Sequence, residues 1–326
     1  MSKRLVSILA AAAVVLSSLV AAVPTVHAED TDDSSSEESK PAIWLQISPV
    51  SNKVTLIPGE DSDYSFTVSN IGSEDFGYHV YAAPYSVSDE DYNVSFSNET
   101  NRTQISRWIQ FYKDDGSLTN DAHFKLKKGE KQTVRYRISV PDSIPAGGQY
   151  ATIFAESDEV EGKVSGSGIK TVSRVGLIVY GHTDGDTIDE AKITDFGFKT
   201  FMTSGKISAS SHVENNGNTD FEAVYGLDIQ SLFGKQLFLK NSSYNILPDT
   251  ARRVTTEWEE TPLLGFYKVH YKVSALNNSV VEERTKIGVI MPVFVMILSI
   301  ILLTLIIIWV IILIRKRRER KSRLLV

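Results

Sequence analysis

The feature that most restricts this chain is an uncharged apolar run, Ile287–Ile314, closed by Arg315-Lys316-Arg317-Arg318. As a helix at about 1.5 Å per residue it would reach roughly 42 Å, more than the ~30 Å hydrocarbon core of a bilayer. Pro292 near its start fits a first turn and leaves the rest to cross. A basic clamp directly after an apolar run is a stop-transfer signal, and the positive-inside rule places it in the cytoplasm. The same clamp can touch anionic lipid. A run of this kind implies one transmembrane helix at 287–314, a basic tail at 315–326, and a fold built from what precedes them.

The other end is also a targeting segment. Lys3-Arg4 is followed by apolar residues from Leu5 to Val23, then Pro24 and Val26-His27-Ala28. A charged start, a hydrophobic middle and a small-x-small site read as a signal peptide, 1–28, cut after Ala28. An uncleaved anchor is the alternative, and both readings send the following chain outward. The expected location is therefore the plasma membrane, single-pass, with the N-terminal ectodomain extracellular and the C-terminus cytoplasmic.

Charge separates these parts further. The whole chain carries −6; with +2 from Lys3 and Arg4 and +6 in the tail set aside, the part between carries −14. Such an ectodomain repels phosphate backbones, so no nucleic acid is expected as a partner. Cysteine is absent (Cys 0), which removes disulfides, thiol nucleophiles and thiolate metal sites, and points to a bacterial cell envelope rather than an animal surface. N-x-S/T triplets begin at Asn93, Asn98, Asn101, Asn241 and Asn277, as a Ser/Thr/Asn-rich β-chain produces by chance. Residues 29–40 are acidic and serine-rich with no large apolar side chain, a leader too polar to order itself.

From Ile43 onward the pattern has period two. Tyr64, Phe66 and Val68 alternate with polar neighbours; so do Val134, Tyr136, Ile138 and Val140, and later Tyr267, Val269, Tyr271 and Val273. Each reads as a strand with one wet face. Turn signals stand between them: Pro58-Gly59, Asn70-Ile71-Gly72, Lys128-Gly129-Glu130, Asn215-Asn216-Gly217-Asn218 and Pro248-Asp249. The fold class is all-β: two tandem immunoglobulin-like β-sandwich domains plus one C-terminal transmembrane helix. The roughly 250 residues outside the targeting segments suit two cores. The boundary falls near Asp184–Thr187, giving domains at 41–186 and 187–286. Pro58-Gly59, Lys128-Gly129 and Pro248-Asp249 each feed a strand. That is common sandwich grammar, short of an internal repeat.

Functional signals are sparse. Outside the signal the histidines are His79, His123, His182, His212 and His270, none paired at i, i+4, so no metal site is read. His79 and His270 fall on the wet faces of strands. No nucleophile elbow, phosphate loop or dinucleotide fingerprint occurs. Ser167-Gly168-Ile169-Lys170 fits S-x-x-K in form, within a Ser/Gly loop and without the companion motifs. No catalytic residue and no cofactor is assigned. The candidate binding surface rests on the polar loop Ser86–Arg102, with Asp89, Asp91 and Tyr92, and on Trp44 and Trp108 as aromatic faces for sugar rings. The opposing reading makes the loop a solvated crossover capped by Trp108 and both tryptophans core. Thr103–Ile109 fits a short helix with Ile105, Trp108 and Ile109 on one side, and Trp258 shares the inward register of Val254 and Thr256.

Leu56-Ile57-Pro58-Gly59-Glu60, Phe66-Thr67-Val68-Ser69-Asn70, Leu126-Lys127-Lys128-Gly129-Glu130, Ile138-Ser139-Val140-Pro141 and Pro145-Ala146-Gly147-Gly148-Gln149-Tyr150 occur in order. Through them the segment from Pro58 to about Tyr180 resembles the N-terminal ectodomain of the WxL-interacting protein family, bacterial surface proteins with the same order of signal, two sandwiches, helix and basic tail. The family's T-N-x-x-G before a tyrosine is missing around Ala83–Phe96, and the second domain matches a generic immunoglobulin-like pattern better than the family's. The resemblance implies peptidoglycan contact by the first domain and protein contact by the second. The expected function is a non-enzymatic, membrane-anchored binding or scaffold protein whose partners are cell-wall glycan or another surface protein, with the bilayer met through one helix. The alternative is an accessory or chaperone-like subunit of a membrane or surface complex.

Overall fold

A computed structural model describes residues 41–158, 160–161, 170–183, 185–203, 206–259 and 264–322. The segments expected to be a signal (1–28) and an acidic leader (29–40), and Ser167–Ile169 of the S-x-x-K sequence, lie outside the described residues. The architecture is all-β with one C-terminal helix, in two immunoglobulin-like sandwiches.

The first sandwich packs two five-stranded sheets. One runs, in spatial order, Leu45–Ser48, Asp61–Asn70, Lys131–Ser139, Ile109–Tyr112 and Leu118–Thr119. The other runs Ser51–Leu56, Arg174–Thr183, Gly147–Ser157, Phe76–Pro84 and Asp121–Leu126. The period-two pattern does what it should: Phe66, Val68, Val134, Tyr136, Ile138 and Val140 are buried in one core with Tyr78, Val80, Leu177 and Val179 from the facing sheet. The short helix expected at Thr103–Ile109 is a single 3-10 turn, Gln104–Arg107. Ile105 and Ile109 are buried in the first core and Trp108 packs half-buried against it.

The second sandwich faces a three-stranded sheet, Ala191–Phe198, Ile207–Asn215 and Thr250–Trp258, against a five-stranded one, Phe201–Met202, Val280–Ile290, Gly265–Ala275, Phe221–Ser231 and Gln236–Ile246. Trp258, Val254 and Thr256 are buried together, as their shared register requires.

The two sandwiches share one kind of corner, visible only in three dimensions. In each sandwich a buried asparagine closes a strand and heads an Asn-x-Gly turn. Asn70 Nδ2 donates to the carbonyls of Glu74 (2.8 Å) and Leu126 (3.4 Å), while its Oδ1 accepts from Gly72 N (2.9 Å). Asn215 Nδ2 donates to Thr219 (2.8 Å) and Ile246 (2.9 Å), and its Oδ1 accepts from Gly217 N (2.9 Å). Both glycines lie under a passing backbone: a Cβ at Gly72 would strike Ala42 O, and one at Gly217 would strike Ile188 O. The turns the sequence treats as generic, Lys128-Gly129 and Pro248-Asp249, follow the two accepting strands with positive φ at Gly129 (76°) and Asp249 (57°). The sandwiches repeat a device, though hardly a sequence.

The expected span of 287–314 is corrected at both ends. Ile287–Ile290 belong to the last strand, where Ile290 is fully buried opposite Gly265. Pro292 has no N–H to continue the ladder, and its carbonyl accepts from Val295 N (3.0 Å) and Met296 N (3.1 Å), so the helix starts at Val293. It then runs on through the basic residues to Ser322. Among the described residues one helix is long and apolar enough to cross a membrane.

Candidate functional site

The polar loop after Tyr85 is a small hairpin, Ser86–Val87 against Val94–Ser95, and it docks onto the chain's own second sandwich. Asp89 shapes its tip: the Asp89 carboxylate accepts from Asn93 N (3.0 Å) and Asn93 Nδ2 (2.7 Å). These bonds hold its carboxyl below the usual range. They also help set Tyr92 in the left-handed region, φ 65°. Tyr92 then points into the second sandwich, where its hydroxyl accepts from Leu247 N at 3.0 Å. The Arg252 guanidinium lies between two rings, 4.1 Å from the Tyr92 centroid and 4.0 Å from that of Tyr244. Burial pushes the Tyr92 phenol up to about 12.

Glu90 makes the second grip. Its carboxylate accepts from Arg253 Nη2 (2.8 Å) and its carbonyl from Arg253 N (2.8 Å). Thr250–Trp258 is one of the two edge strands of its sheet, so this backbone bond caps an open ladder. A third grip lies at the base of the first sandwich. Tyr150 donates to Asp220 Oδ1 (3.1 Å), and Gly148 N donates to Asn218 O (2.8 Å). Gly147, at φ 100°, must be glycine twice over, since a Cβ would also collide with Asn218 O. Tyr85, Tyr150 and Leu247 are buried together in this seam, beside a cavity of about 180 Å³.

The residues singled out from the sequence therefore do not converge. Tyr92 is spent on the junction, Asp89 on its own turn, and Asp91 stays exposed. Trp108 lies beside the first core near the junction, its carbonyl accepting from Ser139 N (3.0 Å). Trp44 stands at the opposite end, 47% exposed, next to the Asn70 corner. Arg315, Lys316 and Arg317 are exposed on the helix, which also includes Arg318.

A different cluster does converge, on the outer face of the first sandwich. His79 and His123 are directly opposite in antiparallel register, their rings stacked at 5.2 Å. Asp121, two residues before His123, shares that face. Its Oδ1 lies 3.0 Å from His79 Nδ1 and 3.7 Å from His123 Nε2. One donor atom from each of the three falls within 4.8 Å of the others. Glu156 flanks them, Oε1 at 4.0 Å from His79 Nε2, and Tyr81 donates to its Oε2 at 2.9 Å. Two imidazoles and a carboxylate form a donor set that suits zinc or copper(II) with open positions left for water. Helical spacing was the wrong template for finding it; the signal was the alternation Asp121-x-His123 on an edge strand, with its partner His79 brought opposite by the fold's register.

A larger cleft, about 580 Å³, opens in the second sandwich beside Phe196, Phe198 and Phe201. Its charged lining is Asp195 with Lys199, Lys206 and Arg284, the last with its guanidinium 5.4 Å from the Phe196 ring centroid.

No family model matches the chain, and no curated protein matches it. Among solved structures it is similar to the class 5 fimbrial chaperone CfaA, at 11% identity over 77% of this chain and 100% of that one, TM-score 0.36. It is also similar to the CsuC–CsuE chaperone–tip subunit complex of Acinetobacter baumannii (14%, 76% and 99%, TM-score 0.37) and to the E. coli chaperone DraB (12%, 75% and 98%, TM-score 0.35). Likeness at these scores carries no weight for function, and the chain's own geometry has to supply the reading.

Proposed function

We propose that this chain is a non-enzymatic, membrane-anchored binding and scaffold protein of the bacterial cell surface. Its first sandwich is the presented module and its second the mount. The observation that carries this reading is the junction. Tyr92, Glu90 and Tyr150 grip the second sandwich at three points, where a flexible two-domain protein would have a linker. The second sandwich in turn passes into the apolar helix through Met291 and Pro292 alone. Such a build suits holding a surface at a set height and orientation above a membrane. The end of the first sandwich away from the junction offers Trp44, whose half-exposed ring suits stacking on a sugar. The resemblance of the first domain to the WxL-interacting protein family supports cell-wall glycan as the partner there. The basic run Arg315–Arg318 supports a cytoplasmic far end for the helix under the positive-inside rule.

The test is retention of the detergent-solubilised full chain on purified cell-wall sacculi. Binding that drops on Trp44→Ala supports the glycan reading; retention no greater than that of an unrelated membrane-anchored sandwich removes it.

A second reading, an accessory or chaperone-like subunit of a surface complex, has one observation in its favour. Gln236–Ile246 is an edge strand of 11 residues with Leu237 and Leu239 exposed, an open ladder on which a partner's strand could pair. Crosslinking in intact cells separates the two: a stoichiometric protein partner favours the accessory role, glycan alone excludes it.

A further inference from the structure

The two ends of the second sandwich are dressed differently. Toward the first domain, Phe221, Ile246, Leu247 and Ala275 are buried. At the other end apolar side chains face outward: Phe233 is 99% exposed, Phe266 54%, Leu232 53%, Leu264 51% and Phe201 49%. The register puts them at one level. Ser231 lies opposite Tyr267 and Tyr267 opposite Gly288, so the Leu232-Phe233 turn follows just beyond. Phe266 and Phe201 both pair with Val289, one antiparallel and one parallel, and Gly265 pairs with Ile290. Three residues later the helix begins.

Among the described residues, the hydrogen bonds that close the Ser231–Lys235 turn do not use the Leu232 and Phe233 side chains. The turn closes with Gly234 N donating to Ser231 O (3.0 Å) and Lys235 N donating to Ser231 Oγ (3.1 Å), and Gly234, at φ 84°, needs its particular residue. Turns exposed to water favour Asn, Asp, Ser or Gly, and here Leu and Phe take the tip, with the exposed cation Lys235 behind them.

Membrane dimensions say what covers them. From Val293 to Ile314 the apolar helix is about 33 Å long, close to the ~30 Å hydrocarbon core, so its first turn stands at the core's edge. The headgroup layer beyond that edge is roughly 5–8 Å deep. Three residues of chain span at most about 11 Å, so Ile290 and whatever is level with it lie in or against that layer. The approach has no slack, because Met291 N donates to Met202 O (2.9 Å) and Val289 N to Thr200 O (2.7 Å). We infer that Phe201, Leu232, Phe233, Leu264 and Phe266 form a rim that sits in the headgroup layer of the leaflet on the sandwich's side, with Lys235 beside the lipid phosphates. The occupant is phospholipid, from the same bilayer the helix crosses. The inference rests on reading that helix as a membrane span.

The chain has no cysteine, so single labels can be placed cleanly. Full-length Lys235→Cys, Ser279→Cys and Ile306→Cys, each carrying an environment-sensitive fluorophore, are reconstituted into vesicles of phosphatidylcholine and phosphatidylglycerol with and without nitroxide-labelled lipid. Ile306 reports the span, Lys235 the rim, and Ser279 the turn at the sandwich's other end. The expected result is strong lipid quenching at Ile306, quenching at Lys235 several-fold above that at Ser279, and loss of the Lys235 signal when Leu232→Ser and Phe233→Ser are added. Quenching at Ile306 with Lys235 no different from Ser279 overturns the rim and leaves the span standing. Absence of quenching at Ile306 overturns both. Unchanged thermal unfolding of the double-serine protein confirms that its loss of signal is not misfolding, and unfolding of that variant leaves the Lys235-to-Ser279 comparison to decide.

Discussion

Asn70 and Asn215 hold the same position in the two sandwiches: each is 1% exposed, and each bonds two carbonyls and one glycine N–H across a corner. One side chain ties together three stretches of backbone, the turn, the strand before the next turn, and, through the glycine beneath it, the first segment of the domain. Trp44 O accepts from Ile71 N (2.9 Å) at the first corner, and Glu190 O from Asn216 N (2.9 Å) at the second. Alanine removes the bonds and leaves buried polar groups unpaired, at roughly 1–3 kcal/mol for each such group. Asn70→Ala and Asn215→Ala should each cost about 2–4 kcal/mol. Asp at either site, ionised, cannot donate and should be as damaging. Urea unfolding followed by tryptophan fluorescence checks this, with Trp44 and Trp108 in the first sandwich and Trp258 in the second. A loss under 1 kcal/mol at either site would contradict the role given to it.

Tyr92 makes a different kind of tie, between domains. Removing its ring loses the packing with Arg252, and removing its hydroxyl loses the acceptor for Leu247 N. Tyr92→Ala should weaken the junction by about 1–3 kcal/mol while each sandwich keeps its own core. Gly147→Val should act at the same seam by collision with Asn218 O. The check is a distance distribution between spin labels placed one in each sandwich. A narrow distribution should broaden in both variants; one already broad in the parent chain would refute a rigid junction.

Strands, cores and the apolar helix were legible from the sequence because period-two burial and an uncharged run are local patterns. Phe66, Tyr136, Val269 and Trp258 lie where alternation puts them. What stayed hidden depends on which strands become neighbours. The histidine pair is 44 positions apart in sequence and adjacent only through the Phe76–Pro84 and Asp121–Leu126 pairing. The loop with Asp89 and Tyr92 looked like a binding element because it is polar and long, and it does bind, but to Leu247, Arg252 and Arg253 of the same chain. The helix start was misplaced for a simpler reason. Ile287–Ile290 are flanked by the same apolar run as the helix that follows, and only the pairing of Ile290 with Gly265 and the break at Pro292 separate strand from helix.

The His79–Asp121–His123 cluster predicts a measurable affinity for zinc. The backbone register fixes the two imidazoles in place, so little ordering is needed on binding, while the exposure of His123 and Asp121 keeps the affinity modest. Zinc at a hundred times its dissociation constant should stabilise the first sandwich by about 2.7 kcal/mol. Titration calorimetry on the full chain should give one site per chain, abolished by His123→Ala and by His79→Ala. His270→Ala, in the other sandwich, should leave it intact. Zinc binding that survives His123→Ala would place the site elsewhere.

The Glu90–Arg253 contact gives the junction an acid limit. The Arg253 guanidinium that bonds it, helped by the nearby His212 side chain, holds the Glu90 carboxyl below the usual glutamate range. A carboxyl lowered in the joined state binds its proton more tightly once released. Its contribution is therefore full above the ordinary carboxylate pKa and fades as pH falls through the lowered value. The pair is exposed and screened by salt, so the effect belongs to the junction and not to either core. Spin-label distances across the seam should stay narrow at neutral pH and broaden as the pH falls through the lowered Glu90 value. Glu90→Gln should already be broader at neutral pH and should lose most of the acid dependence, because its side chain no longer titrates. If the parent chain and Glu90→Gln broaden over the same acid range, the acid limit lies in another group, and Asp220 beneath Tyr150 is the next carboxylate in the seam.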